Sequence, residues 1–378
     1  MKILQIAFNL MPGGAERFVV DLSNELAKTN DVTLLILKED KSNPDATFYK
    51  PDLSDDVRYV NLGLPQKYSP KGLWKVYRYI KALKPDVVHM HDGGMPKFCG
   101  LANLLLGKKI TFVMTIHSDM HNGYKNFYFD VIHNILGRSN RLRFAALSET
   151  NYSDLRKLYP HSPATCITNG RSKVKPTELF DEVADEIKGY KKNNDTTVVV
   201  HVARFNQAKN QQLLVDGFNK VIADGYNATL LIIGRGFDSE DGIRLQNSAC
   251  DSIHFLGLKR NVGDYLLNAD VFTLSSISEG MPITLLEAML CGIPMVSTPV
   301  CGAVDVINGK NGILSKDFSL DEYVKAMESM LDNLDSFKAN AKNSAQDSIY
   351  TIEACARKYL DFYSAKASDL KKNSLPKN

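Results

Sequence analysis

The sequence contains no apolar segment long enough to cross a lipid bilayer, and neither sign of charge is in large excess. Its net charge of +3 argues against wholesale binding of nucleic acid, although it leaves room for a local basic surface. The stretch MKILQIAFNLMPGG has an apolar run that is too short for a signal peptide and leads directly into a Pro-Gly-Gly turn. These absences predict a globular protein of the cytoplasm.

Paired cysteine motifs and metal-ligand motifs are also absent. The six cysteines are scattered without Cys-x-x-Cys spacing, so we expect free thiols in a reducing compartment. His89 and His91 alternate on a predicted strand and therefore share a face, but no cluster of His, Cys and Asp has the spacing of a metal site. The sequence therefore predicts neither disulfides nor a bound metal.

Short apolar runs alternate with amphipathic helical patterns, such as Ala15–Lys28 and Leu73–Leu83, over a length that is typical of two domains. This alternation is typical of a parallel, doubly wound α/β sheet. The strands predicted in the first half are Ile3–Phe8, Val32–Leu37, Val57–Asn61, Val87–Met90, Ile110–Ile116, Phe144–Leu147 and Ala164–Thr168.

A second alternating series follows a polar stretch at 171–195, which we interpret as a linker and a first helix. Long helical patterns then run from about Leu320 to about Ala367, before a polar tail at Lys371–Asn378. Two α/β domains in tandem leave a cleft, and ligands of such sheets bind at the carboxyl ends of the strands. The strands predicted in the second half are Thr197–Ala203, Thr229–Ile233, Ile253–Leu256, Val271–Leu274, Pro294–Ser297 and Gly312–Leu314.

The most informative motif, SEGMPITLLEA at 278–288, follows one of these strands. Gly280 turns the chain, and Pro282 is expected in the first helical turn, where its missing N–H leaves nothing unpaired. A carboxylate can accept hydrogen bonds from two hydroxyls, so Glu279 and Glu287 suit a vicinal diol. The apolar neighbours of Glu287 predict a buried helix, in which a carboxylate needs partners. The free N–H groups of the first turn suit a diphosphate.

Other strand ends carry groups that suit an anion. Arg204 and Lys209 lie in one strand-to-helix loop, where the guanidinium can fork onto phosphate oxygens and the ammonium acts as a point charge. Gly13, Gly14 and Gly234 also follow strands, and glycine lets the backbone approach an anion closely. Taken singly, these features are equally consistent with solvated cations and tight turns.

Taken in order, these residues resemble the retaining glycosyltransferases of GT-B family 4, also called glycosyl transferases group 1, of the bacterial capsular and exopolysaccharide type. The family signature is Glu, seven residues, Glu, and it matches Glu279 to Glu287. The resemblance covers essentially the whole chain. Its other elements are the glycine loop at 13–16, the strand at 86–91, the Thr-x-His segment at 115–118, the Asn169-Gly170 turn and the pair Arg204 and Lys209.

The resemblance implies a GT-B fold with two Rossmann-like domains that face each other across a cleft. It implies an N-terminal acceptor-binding domain at 1–170 and a C-terminal nucleotide-sugar-binding domain at 171–350. A C-terminal helix within 351–378 crosses back to the N-terminal domain and is followed by the polar tail.

The resemblance also implies a role for each matching residue. Glu279 contacts sugar hydroxyls, Glu287 holds the nucleotide ribose, and Arg204 and Lys209 bind the diphosphate. Gly14 approaches the diphosphate from the other domain, and His117 lies near the donor sugar. The remaining substrate contacts are Gly234 and the stretch around Leu256, which lies beside the base.

Pro282 departs from the pattern, because many relatives carry glycine there. Since proline lacks an N–H, hydrogen bonds to the sugar or phosphate must come from Gly280, Met281 or Ile283. This departure leaves the donor sugar open.

The implied reaction is transfer of a hexose-type sugar from a nucleotide donor, with UDP expected, to a saccharide or lipid-linked saccharide in cell-surface polysaccharide synthesis. Arg204, Lys209 and a helix N-terminus stabilise the leaving diphosphate in place of Mg²⁺, so we expect no metal and no cofactor. Same-face attack retains the anomeric configuration, and a donor phosphate oxygen takes the proton of the acceptor hydroxyl.

The predicted helix at 70–84 and the stretch Lys125–Arg143 combine basic and aromatic residues, among them Trp74. Such surfaces suit an anionic membrane and are equally typical of a solvated face. On the membrane interpretation, the protein is peripheral at the inner face and its acceptor is lipid-linked.

Two other functions fit the same residues. A UDP-sugar 2-epimerase of related fold would convert the donor without any acceptor. A non-catalytic sugar-nucleotide-binding protein would be expected to have lost Glu279, Glu287, Arg204 or Lys209, and all four are present.

Overall fold

The computed structural model of the chain describes residues 1–38, 42–65, 69–91, 94–107, 109–117, 127–346 and 349–372. They form two compact units. Unit 1 combines Met1–Ser172 with the segment that begins at Ile349, and unit 2 consists of the residues between them. No helix in the described part of the chain is both long and apolar enough to span a membrane.

Unit 1 is built on a parallel sheet of seven strands in the order β3-β2-β1-β4-β5-β6-β7. Its strands are β1 (Lys2–Ala7), β2 (Asp31–Ile36), β3 (Val57–Asn61), β4 (Val87–His91), β5 (Thr111–Ile116), β6 (Arg143–Ala146) and β7 (Ala164–Cys166). Its helices are α1 (Gly14–Ala27), α2 (Pro70–Leu83), α3 (Pro96–Leu106), α4 (Phe127–Arg138), α5 (Glu149–Leu158), α14 (Ile352–Ser364) and α15 (Ala367–Lys372).

The two faces of this sheet differ in polarity. Helices α2 to α5 cover an apolar core in which Leu4, Met90 and Phe112 are fully buried. Helices α1 and α14 pack together over the opposite face, where β4 contributes the buried His89 and His91. Because helices cover both faces of the sheet, side chains on both sides of each strand are buried, and the strands are therefore nearly continuous apolar runs.

The two ends of unit 1 that continue into unit 2 are fastened to each other. The N–H of Arg171 donates to the carbonyl of Tyr350 at 2.9 Å, and the N–H of Ile352 donates to the carbonyl of Arg171 at 3.1 Å. Nη1 of Arg171 also donates to Oδ2 of Asp21 on α1 at 2.5 Å. The chain therefore leaves and re-enters unit 1 at one place.

Unit 2 has a parallel sheet of six strands in the order β10-β9-β8-β11-β12-β13. Its strands are β8 (Thr197–Val202), β9 (Ala228–Ile233), β10 (Ile253–Gly257), β11 (Val271–Leu274), β12 (Met295–Ser297) and β13 (Gly312–Leu314). Its helices are α6 (Phe180–Gly189), α7 (Gln211–Ala223), α8 (Glu240–Asn247), α9 (Val262–Leu267), α10 (Ile283–Leu290), α11 (Ala303–Val306), α12 (Leu320–Asp332) and α13 (Leu334–Gln346).

The predicted fold class, two Rossmann-like α/β domains with parallel sheets, is confirmed. Every strand predicted from the sequence is present with its ends shifted by no more than two residues. One detail of the site was wrong. Pro282 caps α10 from outside rather than occupying its first turn, and the helix begins at Ile283. Ser118, residues 125 and 126 of the basic stretch and residues 373–378 of the predicted tail lie outside the described residues.

Candidate active site

The order of strands reverses at the centre of the sheet in unit 2, between β8 and β11. The chain continues from β8 to β9 and β10 on one side and from β11 to β12 and β13 on the other, so the loops that follow β8 and β11 meet at the topological switch point. Ligands of doubly wound sheets bind in this position. Both loops carry residues that the sequence predicts to bind substrate, namely Arg204 and Lys209 after β8 and Glu279 after β11.

The loop after β8 is held in shape by side chains of its own residues. Oδ1 of Asn206 accepts a hydrogen bond from the N–H of Lys209 at 3.0 Å, and Nε2 of Gln211 donates to the carbonyl of Arg204 at 3.0 Å. The Arg204 side chain is exposed, whereas Lys209 is partly buried. Arg204 is thus presented to solvent from an ordered loop.

The loops after β8 and β11 contact each other directly. Nζ of Lys209 donates to Oε1 of Glu279 at 2.5 Å, and the hydroxyl of Ser276 donates to the same oxygen at 2.7 Å. The N–H of Ile277 donates to the carbonyl of Ala208 at 2.9 Å. The pair of Lys209 and Glu279 therefore forms one neutral unit at the switch point, next to the exposed cation of Arg204.

Helix α10 begins immediately after this loop and carries Glu287. The first free N–H groups of the helix belong to Ile283 and its successors, because Pro282 takes the capping position with an extended backbone. Glu287 is 9% exposed among the apolar residues of the helix, as the sequence predicted.

Gly302 is a candidate site residue that the sequence did not predict. It follows β12 with a φ of +75°, and a Cβ there would lie 2.8 Å from Cα of Met281 and 2.9 Å from the carbonyl oxygen of Gly280. Glycine is therefore needed beneath the turn that leads into α10. The sequence feature that could have identified Gly302 is its position just after a strand, which is also the position of Gly234.

Gly234 and Leu256 lie on neighbouring strand ends on the other side of β8. A Cβ on Gly234 would overlap the carbonyl oxygen of Ala203, so the close approach of the two loops requires glycine. Its N–H donates to the carbonyl of Gly257 at 2.9 Å. At Leu256 the hydrogen-bond register between β10 and β9 shifts, as it does at a β-bulge. Such bulges often change the direction of a strand next to a binding site.

In unit 1, the predicted residues Gly14 and His117 follow β1 and β5, respectively. Gly14 opens α1, and Phe18 one turn later packs edge-on against His117 with ring centroids 5.6 Å apart. Gly14 and His117 therefore lie at the same edge of this sheet. The other predicted site residues belong to unit 2.

His117 is the end of a buried polar network that the sequence did not reveal. Its Nε2 lies 3.2 Å from Nδ1 of His91, whose Nε2 lies 2.5 Å from Oε1 of Gln5. Burial lowers the pKa of His117 to about 4. Burial, with His89 and His117 nearby, lowers the pKa of His91 well below its usual value. Both rings are therefore neutral at pH 7.

Within the described residues, no three His, Cys, Asp or Glu side chains are grouped closely enough to hold a metal ion. His89 and His91 do share a face, with ring centroids 4.0 Å apart, and their ring nitrogens bind protein groups. They thus belong to the hydrogen-bond network of unit 1.

Two family models match the chain. Residues 12–172 match the model described as Glycosyltransferase Family 4, and residues 196–333 match the model described as Glycosyl transferases group 1. Together they span most of unit 1 and unit 2.

Characterised relatives are similar over part of their length. An N-acetyl-alpha-D-glucosaminyl L-malate synthase of Bacillus anthracis is 27% identical over 247 residues, which are 61% of each chain. An N,N'-diacetylbacillosaminyl-diphospho-undecaprenol alpha-1,3-N-acetylgalactosaminyltransferase of Campylobacter jejuni is 29% identical over 139 residues, 36% of this chain and 37% of that enzyme. The chain thus matches less than two thirds of the length of either relative.

The fold is similar to that of HepE from Anabaena, solved in complex with UDP and glucose. The two structures superpose with a TM-score of 0.79 over 96% of this chain and 99% of HepE, at 17% sequence identity. The similarity supports the same fold. Residues 12–172 therefore belong to Glycosyltransferase Family 4, and residues 196–333 belong to Glycosyl transferases group 1.

Proposed function

We propose that the protein transfers a hexose-type sugar from a nucleotide donor to a saccharide or lipid-linked saccharide in cell-surface polysaccharide synthesis. Unit 2 holds the donor and unit 1 holds the acceptor. The observation that carries the proposal is the convergence of Arg204, the pair of Lys209 and Glu279, and the start of α10 at one switch point.

Negative charge grows on the diphosphate as the bond between it and the anomeric carbon breaks. Arg204 and the N–H groups at the start of α10 stabilise that charge. The ammonium group of Lys209 also stabilises it when it contacts the diphosphate and Glu279 at the same time. These groups do the work that Mg²⁺ does in other transferases, so the proposed reaction needs no metal. Full activity after treatment with EDTA is the expected result, and recovery of lost activity by a divalent cation would contradict it.

In the proposed chemistry, the acceptor oxygen bonds to the anomeric carbon on the face that the diphosphate leaves, so configuration is retained. The proton of the acceptor hydroxyl passes to a phosphate oxygen of the leaving group. Glu279 and Glu287 bind hydroxyls of the donor rather than acting as nucleophile and acid. NMR of the product gives its anomeric configuration, and inversion would overturn this step.

The expected nucleotide is UDP, as in the HepE complex, and the sugar class follows the N-acetylhexosaminyl names of the two relatives. A thermal-shift panel of nucleotide sugars identifies the donor, and NMR with donor and candidate acceptors detects transfer. Conversion of the donor without an acceptor would instead indicate an epimerase. Binding without conversion in any mixture would indicate a non-catalytic protein.

A lipid-linked acceptor is supported by the outer surface of α2 to α4. Trp74 is 53% exposed, and Leu104 and Ile135 are 57% and 62% exposed on the neighbouring helices. Cations with exposed side chains accompany them on α2, at Lys71, Arg78 and Lys81. Apolar side chains beside cations suit the interface of an anionic bilayer.

Some of the predicted cations are engaged within the protein. Nζ of Lys75 donates to the carbonyl of Leu62, and Nη1 of Arg143 donates to the carbonyl of Phe362 at 2.8 Å. Arg143 is therefore a structural residue rather than part of a lipid-binding surface. The peripheral location at the inner membrane face stays a proposal that depends on Lys71, Arg78 and Lys81.

Sedimentation with vesicles that contain anionic lipid tests the membrane contact. Replacing Lys71, Arg78 and Lys81 with Glu is expected to abolish binding. The matched control replaces Lys188, Lys220 and Lys325 of unit 2 with Glu, which changes the net charge equally. Equal binding by the two triple variants would remove the proposal.

A further inference from the structure

A chain of polar side chains is buried beneath α1 and α14 and ends at His117. Gln5 is completely buried and His91 is 4% exposed, whereas His117 is only partly buried. Buried polar groups need partners, and apolar residues would fill the same space at lower cost. This row of polar side chains therefore has a function other than packing, and its solvent-accessible end is His117.

The placement of the Gln5 amide determines where each proton of this network lies. Nε2 of Gln5 lies 3.4 Å from the hydroxyl of Tyr363, so Oε1 of Gln5 faces His91. An amide oxygen only accepts hydrogen bonds, so Nε2 of His91 carries the proton of this neutral ring. Nδ1 of His91 is then an acceptor, and it accepts the N–H at Nε2 of His117.

His117 has only one proton in its neutral form, and the bond to His91 uses it. Nδ1 of His117 therefore carries a lone pair. A lone pair accepts a hydrogen bond from a hydroxyl but repels a phosphate oxygen, which is itself an acceptor. The group that binds Nδ1 of His117 must therefore be a hydrogen-bond donor.

We infer that Gln5 and His91 are positioning residues that hold His117 in the Nε2–H tautomer, so that it accepts a hydrogen bond from a hydroxyl of a sugar substrate. The identity of the partner as a sugar rests on the proposed function. The tautomer itself follows from the network of unit 1 alone.

Helix α14 supplies the Tyr363 hydroxyl, which lies 3.4 Å from Nε2 of Gln5. The Tyr363 hydroxyl lies 2.7 Å from Nδ1 of His89, and Nε2 of His89 lies 2.7 Å from Oγ1 of Thr115. Turning the Gln5 amide over would make the Tyr363 hydroxyl the donor to Oε1 of Gln5 and would move the proton of His91 to Nδ1, so the two amide orientations predict opposite tautomers of His117. Phe18 also packs edge-on against the His91 and His117 rings, which restricts their rotation.

The test is the tautomer of His117, measured by long-range ¹H–¹⁵N NMR on the full chain labelled at histidine. The two ring nitrogens of a neutral histidine differ in chemical shift according to which one is protonated, and the His117→Gln variant assigns the signal. We expect a proton on Nε2 in the wild type. A proton on Nδ1 would overturn the inference, because the Gln5 amide would then be reversed.

Two variants test the positioning role. Gln5→Leu removes the acceptor for His91, and Tyr363→Phe, a milder change, releases the Gln5 amide. Both are expected to convert His117 to a mixture of tautomers, whereas Thr33→Val, a buried polar-to-apolar change on β2 outside the network, leaves it unchanged. If both folded variants keep the pure Nε2–H form, Gln5 does not set the tautomer and the inference fails.

Kinetics connect the tautomer to the substrate. Gln5→Leu is expected to lower kcat/KM about 3- to 10-fold, the loss of one neutral hydrogen bond, and to add nothing in a His117→Gln background. Additive losses would show that Gln5 acts elsewhere. If no sugar nucleotide is turned over, the proposed function fails while the NMR result still decides the tautomer.

Discussion

Lys209 and Glu279 neutralise each other at the switch point of unit 2, with Nζ and Oε1 2.5 Å apart and only 21% and 10% of the side chains exposed. Each was predicted from the sequence to bind a different part of the donor. In the proposed reaction, a diphosphate bound here would therefore meet Arg204 as the exposed cation, whereas Lys209 is already paired with a carboxylate. Arg204 therefore contributes most of the unneutralised positive charge of these two loops.

Replacing Arg204 with Ala is expected to reduce sugar transfer about 100- to 1000-fold, since it removes an electrostatic donor to the leaving group. The side chain is exposed, so the melting temperature should not change measurably. Initial-rate kinetics and thermal unfolding measure the two effects. Arg244→Ala, on the exposed surface of α8, is the matched control and should retain full activity. Wild-type turnover in Arg204→Ala would remove Arg204 from the mechanism.

Replacing Glu287 with Gln is expected to weaken the binding of UDP about 10- to 100-fold, because a hydrogen bond to a charged group contributes about 1.5–3 kcal/mol. Isothermal titration calorimetry with UDP measures the change without requiring turnover. Glu240→Gln at an exposed position of α8 controls for the loss of charge. An unchanged affinity in Glu287→Gln would contradict the ribose role.

Replacing Gly302 with Ala is expected to lower kcat/KM about 10- to 100-fold, because the new Cβ displaces the turn at Gly280 and Met281 that leads into α10. Gly309 has nearly the same φ, +77° against +75°, but has open space around it. Gly309→Ala therefore suffers only the backbone strain, about 1 kcal/mol of stability, and should remain active. Equal activity of the two variants would show that the contact beneath the turn is unimportant.

The stability of the fold is expected to decrease as the pH falls from about 6.5 to about 4. Burial lowers the pKa of His117, His133 and His201 to about 4, below the unfolded value of 6.5. In this window the unfolded chain binds protons that the folded chain does not, and each such histidine contributes about 1.4 kcal/mol per pH unit. Above pH 6.5 this contribution to stability is fully present.

Urea unfolding at several pH values measures this dependence. His133→Phe removes one buried titrating ring and should reduce the slope of stability against pH by about 1.4 kcal/mol per pH unit. His161→Gln, at an exposed position of the same unit, serves as the control. A slope in His133→Phe equal to that of the control would mean that His133 is protonated in the folded state.

The strands could be predicted because both faces of each sheet are covered, which makes buried strands continuous apolar runs. Val57–Asn61 and Val271–Leu274 were predicted with the observed ends. Strand β7 ends two residues earlier than predicted, although the N–H of Ile167 still donates to the carbonyl of Ala146. The ends of strands are the part that local patterns define least.

Within the site, the sequence predicted which residues lie at strand ends but not how they pair. Lys209 and Glu279 are 70 positions apart, and only the strand order brings them into contact. The capping position of Pro282 was missed because a proline just outside the helix and one in its first turn both leave no N–H unpaired. The network at His117 depends on Gln5 and Tyr363, which are 358 positions apart and share no local pattern.

The insertion of unit 2 between two parts of unit 1 has a consequence for synthesis. All of unit 2 is translated before Tyr359 and Tyr363, so unit 1 lacks α14 until unit 2 has been synthesised. During that interval Gln5, Nδ1 of His89 and Oγ1 of Thr115 lack the hydroxyls of Tyr359 and Tyr363. Unit 1 is thus completed after unit 2. A ribosome that stalls before α14 leaves unit 1 without the helix that covers one face of its sheet.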